Sequence, residues 1–179
     1  MNMVKPLLAR CLGAGVLAAT LAAASLPAFS QYANADLPDW KEDAVPPPPA
    51  YSTRGLIELE MPRGASVKIG VDPKTITINH DTGIVRYVVV MRGPSAVNAS
   101  YEGMRCATAE YRVYARQVQD GEWTVASDDE WKPMRGQGSV MVQYPLQLAR
   151  EGVCIGPGTR QTVSEIEREL RMGWQAPYR

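Results

Sequence analysis

Cys106 and Cys154 constrain this chain more than any other pair of residues, because of where the first thirty residues direct it. Met1–Arg10 carries Lys5 and Arg10 and no acid, and Cys11–Leu26 is uncharged and rich in Ala, Leu, Val and Gly. Pro27 interrupts the run, and Ala28-Phe29-Ser30 places small residues at the two positions a signal peptidase inspects. A charged start, a short apolar middle and a small-residue exit describe a secretory signal peptide, residues 1–30, with cleavage after Ser30. The competing reading is an uncleaved anchor, but an alanine-dominated run of this length barely spans a bilayer. Cys11 precedes the apolar core, so it does not fit a lipid-attachment site and leaves with the signal. Two cysteines then remain in an oxidising compartment, where one disulfide, Cys106–Cys154, is expected. It closes a loop of about 49 residues, and the chain-entropy model gives it about 4 kcal/mol. A Cys-x-x-Cys redox spacing is absent, and two cysteines plus His80 fall short of a zinc site.

Charge and composition exclude further classes. The chain has 179 residues, 19 basic and 19 acidic side chains and a single histidine. Loss of Lys5 and Arg10 leaves the exported part slightly acidic, so a nucleic-acid partner is not expected. After signal cleavage no membrane span remains. Phe29 is the only phenylalanine and also leaves, so the mature aromatics are all Tyr and Trp, rings with a polar handle.

Residues 31–54 read as an extended leader. Pro46-Pro47-Pro48-Pro49 favours polyproline II and excludes helix. The simplest role is a stiff spacer lying along the domain, with Trp40 and Tyr51 pinning it; the alternative is a ligand for a proline-recognising groove. From Gly55 to residue 179 the pattern is one globular domain. Strands are expected over Leu56–Met61, Val67–Val71, Thr75–Ile78, Ile84–Met91, Val97–Tyr101, Ala107–Val118 and Glu122–Val125, separated by Pro, Gly and Asp turns. Ile84–Met91 is apolar except at Arg86 and Tyr87, which marks a central strand covered on both faces. A short helix is expected over Gln143–Glu151, starting near Pro145 and ended by Gly152. Thr162-Val163-Ser164-Glu165 is a capping box, and Val163, Ile166 and Leu170 share one helical face up to Gly173. The expected fold is therefore α+β: an antiparallel meander with one or two C-terminal helices, with a β-sandwich or partly closed barrel as the alternative.

Several of these segments together resemble a known family. Trp40, Pro46–Pro49, Val71-Asp72, Val85-Arg86-Tyr87, Tyr101-Glu102-Gly103-Met104-Arg105-Cys106, Tyr114-Ala115, Trp123 and Cys154 follow the pattern of the cryptic neisserial protein family, small exported proteins of Gram-negative bacteria. The resemblance spans residues 40–155 and leaves the helix from Thr162 outside. It implies an exported, disulfide-bonded domain of unassigned function.

No catalytic, metal or cofactor set emerges from the residues. His80 sits beside Asp81 in a turn, and no Gly-x-Ser-x-Gly elbow occurs to receive it. Glu58 with Glu60, and Asp128-Asp129-Glu130, are carboxylate clusters that glycoside hydrolysis would use but that are commonly a solvated face. Arg86 interrupts an apolar strand and needs a partner; Glu102 or Asp72 is the expected one, in a pair that fixes sheet register. Tyr101 and Arg105, with Arg86, are candidates for an anionic ligand. Trp123 and Trp131 flank the acidic loop and suit either a sugar platform or a protein anchor. The chain thus reads as a non-catalytic periplasmic binding module for an envelope protein or glycan, of open oligomeric state. An envelope-glycan hydrolase or sugar-binding protein is the alternative.

Overall fold

The computed structural model describes residues 40–61, 63–119, 121–135 and 140–173. The expected signal peptide, residues 1–30, and residues 31–39 of the expected leader lie outside them. The sheet is built from β1 (Ile57–Glu58), β2 (Lys68–Val71), β3 (Thr77–Asn79), β4 (Ile84–Arg92), β5 (Val97–Arg105), β6 (Glu110–Val118), β7 (Thr124–Val125) and β8 (Lys132–Pro133). All pairings are antiparallel, in the order β1-β2-β4-β5-β6-β7. Two edges are shared. β2 pairs with Val89–Arg92 of β4 while β3 pairs with Ile84–Arg86; β7 and β8 divide β6 in the same way. The helices α1 (Val140–Leu148) and α2 (Val163–Met172) follow, with a short pair β9 (Cys154–Ile155) and β10 (Gly158–Thr159) between them. The fold is the α+β meander, and the sheet does not close into a barrel.

β4 shows why the sequence alternates so little there. Val85, Tyr87 and Val89 pack into a core with Leu148, Val153, Ile166 and Leu170 from the helical layer. Val88 and Val90 belong to a second core with Ala99, Tyr101, Tyr114 and Ala115, covered by Tyr51 and Leu56 from the leader side. Val88 and Val90 are fully buried, and such a valine contributes about 1.5–3 kcal/mol by burial alone. Both faces of β4 are therefore interior, one of them covered from the leader side.

Several elements differ from the sequence expectation. The strand expected over Leu56–Met61 is only Ile57–Glu58, and that expected over Thr75–Ile78 is shifted to Thr77–Asn79 because Pro73 opens a 3-10 turn that runs through Thr75. β5 runs to Arg105 rather than stopping at Tyr101, because Gly103 keeps its place in register opposite Arg86 instead of breaking the strand. α1 starts at Val140 and carries Pro145 inside it, not at its first turn. Burial of Tyr144 and Leu148 in the helical core outweighs the backbone bond that proline removes. Gly152 does not cap α1: residues 149–153 continue it as a π-helical turn, a form frequent at functional sites. The capping box forms, with Thr162 accepting from the Glu165 amide and the Glu165 carboxylate accepting from the Thr162 amide 3.2 Å away.

Gly152 is fixed by packing. A Cβ at this position would stand 2.6 Å from Leu170 Cγ and 2.9 Å from the Leu170 backbone nitrogen. Gly152→Ala is expected to cost about 1–3 kcal/mol by forcing α2 away from the π turn. Gly158→Ala, whose Cβ would meet nothing closer than 3.8 Å, should stay within about 1 kcal/mol of the parent. Urea unfolding of both variants checks this; equal effects would contradict the packing role of Gly152.

Candidate functional site

The segment Tyr101–Cys106 splits its side chains between the two faces of the sheet. Tyr101, Gly103 and Arg105 face the leader; Glu102, Met104 and Cys106 face the helices. On the leader face a bulge leaves Tyr114 as an extra residue, since Tyr101 pairs with Ala115 and Glu102 with Val113. Both Tyr114 and Ala115 therefore join the leader-side core. Gly103 is the bed for the extra ring: a Cβ there would lie 2.0 Å from the Tyr114 hydroxyl.

That hydroxyl donates to Glu42 of the leader. Glu42 also accepts from Arg86 at 3.2 Å and from Arg112 at 2.8 Å, and its neighbour Asp43 accepts from Arg86 at 2.6 Å. The Arg86 and Glu42 side chains are 5% and 8% exposed, so this is a buried pair. The Arg86 hydrogen bond holds the Asp43 carboxyl below its ordinary value. The partners expected for Arg86 are thus corrected. Glu102 stands opposite Tyr87, one position out of step with Arg86, so it points to the other face. Asp72 is occupied at the leader by the Ser52 amide at 2.7 Å and, as N-cap of a 3-10 turn, by the Lys74 amide at 3.0 Å.

The four candidate binding residues are likewise engaged with the leader or with the core beneath it. Tyr101 is buried with its ring 5.3 Å from that of Tyr114. Arg105 lies over the Trp40 ring at 3.5 Å and near Trp131 at 5.7 Å. Trp131 meets Trp40 edge-on, and Trp123 meets Tyr51 edge-on. Trp40 also donates to the Thr82 carbonyl at 3.2 Å. Asp128 and Asp129 of the acidic loop pair with Arg116, Lys132 and Arg112, and Glu58 pairs with Arg92. His80 is exposed in its turn.

Open space lies on the opposite layer. The Cys106–Cys154 disulfide joins the end of β5 to the start of β9. Beside it and α1 is a cleft of about 890 Å³, with Met61, Met134 and Leu146 among its apolar walls. Exposed charges at Glu60, Arg63 and Arg150 also line it. Gln147 braces this wall by donating to the Glu60 carbonyl at 2.9 Å and to Glu151 at 2.8 Å. Burial raises the Glu151 carboxyl above its usual value; Gln147 opposes that shift and Glu60 adds to it. Sequence reasoning missed this cleft, because its lining comes from β1's exit, the β5–β6 turn and α1.

A model of the CNP1-like family matches residues 35–171. The chain belongs to this family. The match takes in α2 as well as the leader from residue 35, so the CNP1-like unit includes the clasping segment and the helical layer together. No curated protein and no solved structure matches the chain.

Glu102 is the remaining charged residue of the segment Tyr101–Cys106. Its Oε1 accepts from the Ser100 and Tyr144 hydroxyls, and the residue is fully buried. Burial pushes its carboxyl up to about 7, against the opposing pull of those two hydroxyls and of Arg116. Tyr87 from β4, Tyr111 from β6 and Tyr144 from α1 surround it, and burial keeps all three phenols neutral in this range. A carboxyl whose folded value lies above its unfolded one stabilises fully below about pH 4.5, and that contribution is lost as pH rises through 7. Between pH 5 and 7.5 the parent should lose roughly 2 kcal/mol relative to Glu102→Gln. Urea unfolding of both across that range measures it; parallel curves would contradict the burial of a titrating acid.

Proposed function

We propose that this CNP1-like chain is an exported, non-catalytic binding module of the periplasm, and that its ligand seat is the cleft beside the Cys106–Cys154 disulfide. The supporting observation is the cleft itself: about 890 Å³ with methionine and leucine walls and charges of both signs at its mouth. Methionine side chains adapt to apolar ligand groups of varied shape. An apolar lining with a few placed polar groups is the usual make-up of a binding pocket. Glu60 and Arg63, together with Arg150, suit a segment of an envelope protein that carries apolar side chains and flanking charges. A sugar ligand is less favoured. Trp131 and Trp123 are each taken up in a T-shaped contact with a different leader ring, Trp40 and Tyr51, which leaves them ill-suited to act together as a stacking platform.

The test is in vivo photocrosslinking from the full-length chain, with the photoreactive residue at Leu146 in the cleft or at His80 on the exposed turn. The reading predicts a defined protein adduct from position 146 that is absent from position 80 and lost when Met61→Glu charges the partly exposed cleft wall. The adduct's own chain should begin at Gln31. The same adducts from both positions, or an adduct retaining Met1, would contradict it.

A further inference from the structure

A second cavity, of about 270 Å³, lies on the helix-facing side of the sheet, lined by Asn98, Ser100, Glu102, Tyr111, Arg116 and Tyr144 among others. Its chemistry is unusual for a core. Glu102 is fully buried, and both hydroxyls that reach it converge on one oxygen, Oε1. The other oxygen, Oε2, meets no donor among the described residues. Tyr87, directly across the strand pair, also has a buried hydroxyl without a partner. A buried carboxylate oxygen with no donor is costly, and a buried charge normally sits against an opposite one. Arg116 does not take that role: its guanidinium is tied to Asp128 at 2.7 Å and is 44% exposed. The cavity therefore combines one buried acid lacking one partner with walls from two tyrosines, Tyr111 and Tyr144.

We propose that this cavity is a binding site for a small primary ammonium compound, whose N–H group donates to Glu102 Oε2 while its carbon chain lies among Met91, Val113 and the tyrosine rings. An ammonium head supplies both things Oε2 lacks, a donor and a positive charge. The aromatic walls add favourable cation–π contact. A quaternary ammonium has the charge but no N–H, and an alcohol has the donor but no charge. An acid of the same length carries the wrong charge against Glu102. Binding of the cation requires the ionised carboxyl, so it is linked to proton release. With the Glu102 carboxyl at about 7, affinity should rise about tenfold between pH 6 and pH 8.

The experiment is an amide chemical-shift titration of the full chain with n-butylammonium chloride, alongside tetramethylammonium chloride, n-butanol and sodium butyrate. The expected result is saturable shifts confined to the amides of Asn98, Ser100, Glu102, Tyr111 and Tyr144, seen with n-butylammonium and at least tenfold weaker with the other three. Glu102→Gln should weaken binding at least tenfold and abolish its pH dependence. Val118→Trp enlarges an exposed residue that lines the cavity and leaves Glu102 intact, so it should reduce the space for the ligand and weaken binding similarly. Shifts spread over the acidic loop at 128–130, equal response to n-butanol, or undiminished binding in Val118→Trp would each overturn the proposal. No saturable shift at pH 8 would do the same.

Discussion

The buried contact between Glu42 and Arg86 is the interaction on which the rest of this architecture depends. Arg86 sits in the middle of the most buried strand, where an unpaired guanidinium would be several kcal/mol unfavourable. Its partners come from more than forty residues earlier in the chain, on a segment with no secondary structure of its own. Glu42 links Arg86, Arg112 and the Tyr114 hydroxyl at once, and so ties β4 and β6 to the leader. Such a network is weak evidence for net stability, because desolvation offsets most of the attraction. Its consequence is specificity of placement. Only one path of the leader brings Glu42 to Arg86 while Trp40 reaches Arg105 and Tyr51 reaches Trp123.

That placement gives the sheet its second covered face. An open antiparallel sheet usually leaves one side to water. Here the helices cover one side and residues 40–56 cover the other, so β4 can be apolar on both. The segment Tyr101–Cys106 serves both layers in alternation. Tyr101, Gly103 and Arg105 receive the leader; Glu102, Met104 and Cys106 hold the helical side, the last through the disulfide. Among the described residues the tyrosines and tryptophans of the leader face are engaged with the leader, while the two cavities lie on the helical layer, beside the disulfide and beside the buried Glu102.

Much of this was legible in the residues. The strands around Ile69, Val88 and Val113 follow from alternation and turn residues, and the Thr162 capping box marks the start of α2. The Cys106–Cys154 bond follows from the expectation of export and from cysteine number, and the need of Arg86 for a buried partner follows from its apolar neighbours. The partner itself was not legible. Assigning Glu102 to Arg86 requires knowing the register of β4 on β5, and a shift of one residue moves a side chain to the other face. Glu42 lies beside Pro46–Pro49, whose composition reads as a spacer and carries no signal of what it lies against. Trp123, Trp131 and Arg105 were ambiguous for the same reason: an amphipathic ring suits a ligand and the chain's own leader equally well.

The most direct measurement of the leader's role is a double-mutant cycle on the chain from residue 31, with Glu42→Gln, Arg86→Met and the two combined, followed by urea unfolding. If the leader is fixed through this buried contact, the two changes couple by about 1–3 kcal/mol, the double variant being more stable than the sum of the singles implies. Additivity within about 0.5 kcal/mol would mean that residues 40–56 are held without the ion pair, and the account of how the second face is covered would be wrong.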